Sequence, residues 1–275
     1  MATDHNLDIV VLTEVQSQRV VSFSDGDHAS RRIILFPTKD EERGVGFVIK
    51  LKRDPADRRR IIDRNAPEFC SVESTNPPTP RVQTLHVKYG NQRIAIIGAY
   101  APTNRAPRAE REEFWGALQY AINQVKTGRY YILGDLNAHI PNVCRQKPAN
   151  CNGADLQTVI ETNTLEVTNF REQRFRRHIW TWRPRVTTAF AGANEYFVHD
   201  LALAPMSYRL DIQRIRAVYP LLDRTDHRMV RARLQPRHNK DRLETKRRAQ
   251  QQQHRRKDPS SAGASMSRRS LLWRG

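Results

Sequence analysis

The feature that most constrains this chain is a set of short apolar runs that each stop at a polar group. Ile94-Ala95-Ile96-Ile97-Gly98-Ala99 ends at Tyr100, and Tyr130-Tyr131-Ile132-Leu133-Gly134 ends at Asp135-Leu136-Asn137. Ile9-Val10-Val11-Leu12-Thr13 ends at Glu14. Two runs show the reverse order: Asp200 precedes Leu201-Ala202-Leu203-Ala204, and Asp226-His227 precede Met229-Val230. A buried strand cannot hide a carboxylate cheaply, so the charge belongs where the strand leaves the core. If the first three strands run one way and the last two the other, one sheet edge gathers Glu14, Tyr100, Asp135, Asn137, Asp200, Asp226 and His227.

The rest of the chain to about 234 reads as many strands and few helices. Segments rich in Ile, Val, Tyr and Trp predict strands at 7–13, 32–37, 44–51, 81–89, 94–101, 130–134, 178–182, 197–204, 211–219 and 228–234. In 108–127, Phe114, Leu118, Ala121, Ile122 and Val125 recur at helical spacing before Gly128, and 152–163 repeats the pattern with Leu156, Val159 and Ile160. This mixed order predicts an α/β sandwich rather than a regular βαβ array. The arginine-rich stretch 52–68 and the proline-rich stretch 74–80 read as exposed loops. After Leu234 the composition shifts to basic clusters around Gln250–Gln253, then to Ser, Ala and Gly. The expectation is one domain over 1–234 and a disordered basic tail over 235–275.

Charge narrows the partners. Forty-seven Lys and Arg against 29 Asp and Glu leave a net +18 over 275 residues. Residues 231–275 hold 14 basic and 3 acidic residues, 14 − 3 = +11, so the first 230 carry +7. A polyanion is the expected partner, with nucleic acid first; a solvated basic tail on an ordinary enzyme is the plainer reading. No apolar run approaches a membrane span, and the first residues lack the basic and apolar regions of a secretory signal. The three cysteines, Cys70, Cys144 and Cys151, make no C-x-x-C pair. A reducing compartment, nucleus or cytosol, is the expected location.

The polar ends suit a definite chemistry. Carboxylate and amide oxygens suit a hard cation such as Mg²⁺, a His held by an Asp suits a base that activates water, and both suit charge on a phosphoryl oxygen. Each residue alone has a plainer reading. Gly134-Asp135-Leu136-Asn137 reads equally as a turn, Glu14 as a solvated strand end, Tyr100 as a packing residue, and Asp200 as the partner of a surface arginine. The ordered set carries the argument.

That set resembles the endonuclease/exonuclease/phosphatase superfamily with its deoxyribonuclease I-like fold. The matching segments are Thr13-Glu14-Val15-Gln16, Tyr100-Ala101-Pro102, Gly134-Asp135-Leu136-Asn137-Ala138, Thr181-Trp182, His199-Asp200-Leu201 and Thr225-Asp226-His227. Gly44-Val45-Gly46-Phe47, Asn152-Gly153-Ala154-Asp155-Leu156 and Asp226-His227-Arg228-Met229-Val230-Arg231-Ala232 are similar to the apurinic-type endonuclease module of non-LTR retrotransposons and to craniofacial development protein 2-like proteins. The resemblance implies a sandwich of two mixed β-sheets flanked by helices. It implies a Mg²⁺-dependent DNA endonuclease, with Mn²⁺ able to substitute, and a reverse transcriptase encoded elsewhere. It implies Glu14 as a metal ligand, with Asp226 completing the site. Asp135 would position or deprotonate the attacking water, and Asn137 would fix the phosphate. His227, oriented by Asp200, would contact phosphate or act as base, and Tyr100 would donate to phosphate.

The chain departs from the family pattern in two places. Only six residues precede Leu7, so the family's first strand, ending in a metal-site Asn, and its helix are expected to be missing. His199-Asp200-Leu201 also lacks the family's Tyr. A non-catalytic nucleic-acid-binding remnant is therefore one alternative, and a phosphatase or lipid phosphodiesterase on the same fold is another. His139, Cys144 and Cys151 match no standard zinc spacing. The stretch Arg174, Arg176, Arg177, Trp180, Trp182, Arg183 and Arg185 reads equally as a DNA-stacking surface and as core Trp beside solvated Arg.

Residues 235–275 cannot bury enough apolar surface to offset roughly 1–2 kcal/mol of ordering entropy per residue. Deleting 238–275 should leave the thermal transition nearly unchanged and flatten the salt dependence of DNA binding, because fewer counterions are displaced. A salt slope equal to that of the full chain would show that the tail does not touch DNA.

Overall fold

The computed structural model describes residues 7–17, 21–25, 28–35, 43–53, 59, 66–75, 79–126, 128–140, 149–170, 180–182, 197–218 and 227–235. The chain divides into Met1–Leu234 and Gln235–Gly275, and every element below belongs to the first unit. The strands are β1 (Ile9–Val15), β2 (Val21–Asp25), β3 (His28–Leu35), β4 (Gly44–Lys50), β5 (Glu68–Ser74), β6 (Val82–Tyr89), β7 (Gln92–Tyr100), β8 (Arg129–Asp135), β9 (Leu165–Val167), β10 (Asp200–Pro205), β11 (Ile212–Val218) and β12 (Met229–Leu234). The helices are α1 (Arg108–Val125) and α2 (Cys151–Asn163).

Three ladders result. An antiparallel sheet has the order β1-β4-β3-β2, a mixed sheet has the order β5-β6-β7-β8-β10-β9, and β11 pairs with β12. In the mixed sheet β7 and β8 are parallel, while β10 runs antiparallel to β8. The α/β sandwich expected from the mixed element order is therefore what the chain forms, with the parallel pairing confined to β7 and β8 among the described residues.

The unbroken apolar runs follow from burial on both faces. Along β7, β8 and β10, Ala95, Ile97, Ala99, Tyr130, Ile132, Leu201 and Leu203 pack with Phe114, Leu118 and Ile122 of α1 and Leu156 of α2. The alternate residues Ile94, Ile96, Tyr131, Ala202 and Ala204 pack with Val45, Phe47 and Ile49 of β4. A strand covered on both sides has no solvated face to alternate with. Its polar groups are pushed to its ends.

The three strands that the sequence pattern missed, β2, β5 and β9, all end a sheet. An edge strand has one paired neighbour and a partly solvated outline, so its pattern is weak. Other differences are local. The strand expected at 178–182 is represented among the described residues by isolated bridges of Trp182 to Phe197 and His227. The two expected exposed loops are buried at their flanks: Ala66, Thr75 and Thr79 are all buried, and β5 occupies 68–74. The expected tail lies outside the described residues, apart from Gln235.

One glycine is obligatory for the geometry that follows. Gly134 has φ +152, and a Cβ there would lie 1.8 Å from the Ala99 carbonyl oxygen. β7 and β8 can approach at this point only without a side chain. Gly134→Ala should destabilise the protein by roughly 3 kcal/mol in urea unfolding. Gly116→Ala on α1, where a Cβ meets nothing within 4 Å, should instead stabilise it by up to about 1 kcal/mol.

Candidate active site

Strand register brings the polar ends together. Tyr100 of β7 is level with Asp135 of the parallel β8. Asp200 of β10 lies opposite Asp135 on the other side. The ladder continues past the strand ends, with Ala101 N donating to Asp135 O at 2.8 Å and Leu136 N donating to His199 O at 2.9 Å. Glu14 reaches the same place from the other sheet, because β1 packs on β7 and β8. The register of β1 against β4 slips between Leu12 and Val15, and Glu14 itself has φ 59. This bulge re-aims the carboxylate.

His227 completes the group. Its Nδ1–H donates to Asp200 Oδ2 at 2.9 Å, which assigns the Nδ1-protonated tautomer for the neutral ring. Nε2 then faces Asp135 Oδ2 at 4.0 Å. Ligand atoms of Glu14, Asp135 and His227 lie within 4.8 Å of one another, the one such trio among the described residues. Glu14 is also ion-paired with the guanidinium of Arg43. The family resemblance implies Glu14 as a metal ligand with Asp226 completing the site. Asp226 lies outside the described residues, and among the described ones Asp135 stands beside Glu14.

Electrostatics make the trio receptive to a cation. Asp135 is 2% exposed. Burial, then the neighbouring Asp200 carboxylate, raise its pKa to about 7, against the pull of His227 and of the Asn137 N–H. Asp135 and Asp200 stand side by side where Asp135 has little solvent, with the exposed, Arg43-paired Glu14 close by, and an oxygen-binding divalent ion would relieve their repulsion. The residues present therefore fit a divalent metal. Tyr100 is driven to about 12 by burial and by Glu14 and Asp135, so its hydroxyl keeps its proton and stays a donor.

The supporting residues were not singled out for these roles by sequence. Asn137 adopts φ 44, donates its N–H to Asp135 Oδ1 at 2.9 Å, and donates Nδ2 to Ala101 O at 2.9 Å. Three side-chain amides converge on its carbonyl: Asn150 at 2.9 Å, Asn104 at 3.2 Å and Asn152 at 3.4 Å. Asn150 also caps α2 by accepting from Gly153 N at 2.7 Å. The start of α2 thus clamps the turn that carries Asp135 and Asn137. Thr181, fully buried, accepts from both His199 N and Asp200 N at 3.0 Å, and its carbonyl accepts from Arg228 N at 2.6 Å. It ties Asp200 to the His227 segment. A Thr followed by Trp hinted at this place, but a hydroxyl bridging two backbone amides has no one-dimensional signature.

Other candidates fall elsewhere. His139 pairs with His199, Nε2 to Nε2 at 3.1 Å, and burial together with His139 and His227 hold His199 down to about 3, so it is neutral. Cys151 is exposed and Cys144 lies outside the described residues. Both tryptophans of the 174–185 stretch have internal partners. Arg228 sits over the Trp180 ring at 3.3 Å, and Trp182 packs with Phe197 and His199. Its arginines 174, 176, 177, 183 and 185 lie outside the described residues.

Comparisons with known proteins bear on the family and the fold. The model of the Endonuclease/Exonuclease/phosphatase family matches residues 1–238. A 3′ phosphatase, NExo from Neisseria, solved with a product DNA hairpin, is 16% identical over 85% of this chain and 91% of its own, with TM-score 0.59. The endonuclease domain of TRAS1, a telomere-specific non-LTR retrotransposon, is 14% identical over 85% of this chain and 89% of its own, with TM-score 0.57. The AP endonuclease LMAP from Leishmania major is 12% identical over 86% of this chain and 80% of its own, with TM-score 0.62. A search of curated proteins returned no match.

Because the folded-state pKa of Asp135 is raised to about 7, its contribution to stability is present below its unfolded value and is lost as pH rises through 7. His199 has the opposite sign, its contribution failing as pH falls below the ordinary histidine range. The difference between wild type and Asp135→Asn isolates the first effect. Without metal, thermal unfolding should show the variant gaining on wild type between about pH 5 and pH 8. Added Mg²⁺ should stabilise wild type more at the upper end, and the variant little at either. A pH-independent gap between the two proteins would refute the assignment.

Proposed function

The chain belongs to the endonuclease/exonuclease/phosphatase family, and on that premise we propose that it is a Mg²⁺-dependent phosphodiesterase that cuts DNA, related to the endonucleases of non-LTR retrotransposons. The observation that carries this reading is the convergence of Glu14, Asp135 and His227 within 4.8 Å, with Asp200 on the far nitrogen of the imidazole.

Each residue has a role that follows from its surroundings. Glu14 and Asp135 offer the oxygen donors a hard cation prefers, and would hold it. When bound, the ion supplies positive charge against the phosphate and the departing oxygen. Asp200 fixes the His227 ring through Nδ1–H, leaving Nε2 to take a proton from the attacking water. That water forms a new P–O bond as an ester P–O bond breaks. Asn137, locked by its left-handed backbone and the amide clamp, and Tyr100, which retains its proton, are placed to donate to phosphate oxygens. The net charge of +18 favours a polyanionic nucleic acid over a small phosphate ester. The absence of a C-x-x-C pair among its three cysteines is compatible with action in the nucleus or cytosol.

The full chain should nick supercoiled plasmid in Mg²⁺ or Mn²⁺ and stop in excess EDTA. His227→Ala and the His227→Ala/Asp200→Ala double variant should lose similar amounts of rate, about a hundredfold or more, because a working pair is non-additive. Nicking that persists in EDTA would overturn the metal role, and losses under about tenfold would place the pair outside the chemistry. A chain that hydrolyses inositol phosphates but not DNA would move the assignment to a phosphatase. One that binds DNA and cuts nothing would be a non-catalytic relative.

A further inference from the structure

We propose that Arg43 couples metal binding to substrate binding: its guanidinium occupies the Glu14 carboxylate until a divalent ion is held there, and on release donates to a phosphate of the bound DNA. The proposal rests on the metal-dependent nuclease reading above. Arg43 and Glu14 are ion-paired, and they flank one rung of the first sheet, Val15 opposite Gly44.

The backbone fixes Arg43 at this place. Val45 N donates to Pro80 O at 2.8 Å, and a Cβ on Gly44 would lie 2.7 Å from that same oxygen. The chain entering β4 is therefore seated against Pro80 with no side chain between them. Arg43 is anchored at its Cα beside the site, while its long side chain is free to change direction. Its charge is felt at the phosphate-facing donor as well. Burial, Glu14 and Asp135 raise the Tyr100 pKa, and Arg81 and then Arg43 pull it back.

A guanidinium and a divalent ion compete for one carboxylate. Arg43 lowers the attraction of Glu14 for a cation, and an ion bound at Glu14 repels Arg43. The side chains are 49% and 41% exposed, and an ion pair so open to water is worth at most about fivefold in an equilibrium constant. A divalent ion gains Asp135 as well, whose ligand atom lies within 4.8 Å of that of Glu14. Arg43 is thus the partner that yields. Its released guanidinium needs a new anion, and the substrate brings one: the fork of an arginine matches the oxygens of a phosphate. Metal and DNA are then linked through one side chain, and the linkage is reciprocal.

The test compares the full chain with Arg43→Gln and Arg43→Lys. Mn²⁺ is titrated without DNA, with the free ion read by electron paramagnetic resonance. With the competitor removed, Arg43→Gln should bind Mn²⁺ about three- to tenfold tighter than wild type. Arg43→Lys keeps the charge and should stay within about twofold. A short duplex is then titrated by fluorescence anisotropy in EDTA and in saturating Ca²⁺, an oxygen-binding ion, and checked to be intact afterwards. In EDTA, where Glu14 engages Arg43, the Gln variant should lose under about twofold in DNA affinity. In Ca²⁺ it should lose about tenfold or more, and the Lys variant an intermediate amount. Mn²⁺ binding no tighter in Arg43→Gln would overturn the coupling, and weaker binding would make Arg43 a brace for Glu14. A DNA loss equal with and without Ca²⁺ would overturn it too. Each of these leaves the nuclease reading in place if wild type nicks plasmid. If both shifts appear as expected and wild type cuts no DNA, the coupling stands and the nuclease reading fails.

Discussion

The buried carboxylate of Asp135 is the constraint around which the site is arranged. It is 2% exposed, at the end of a strand whose two faces are covered by separate cores. An unpaired charge in such a place is far too costly to persist, so the surroundings must supply compensation or the group must hold its proton. The structure supplies part of the compensation: the Asn137 N–H at 2.9 Å and His227 at 4.0 Å. It also adds charge of the same sign, Asp200 opposite on β10 and Glu14 from the other sheet. A fold that places like charges beside a buried acid loses stability in the absence of a cation. A divalent cation held there would relieve that repulsion.

Holding these groups in place takes more of the molecule than the groups themselves. Gly134 permits the close approach of β7 to β8. The amides of Asn104, Asn150 and Asn152 converge on one carbonyl and keep Asn137 in its left-handed turn. Thr181 joins the start of β10 to the segment that carries His227. Apart from the exposed Asn104 contact, the side-chain hydrogen bonds are partly buried, and they are worth more as constraints on geometry than as net stability, since each replaces a bond to water. They share one property: each links segments distant in sequence at the level where the strands end.

The basic charge is organised on two scales. Half of it lies in the tail, where residues 235–275 hold 12 basic and 3 acidic residues, 12 − 3 = +9. Within the folded unit, pairing two strands converts two separate Arg-x-Arg patterns into a two-by-two array. Exposed arginines in isolation are screened over about 10 Å at ordinary salt.

How much of this was legible beforehand follows from what kind of signal each feature leaves. The apolar runs of β7, β8 and β10 and the helical spacing of α1 and α2 are local, and their ends marked Tyr100, Asp135, Asn137 and Asp200. The edge strands β2, β5 and β9 were missed because a strand with one neighbour needs little pattern. The sequence alone determined that charge would collect at strand ends, because burial of an apolar run forbids it elsewhere. Tertiary structure alone decided which ends meet. Register set Asp200 opposite Asp135, a bulge aimed Glu14 at them from another sheet, and Asn152 and Thr181 became braces only when packing brought their amide and hydroxyl to distant backbone. Those choices depend on distances between residues far apart in the chain, and a linear sequence does not encode such distances one residue at a time.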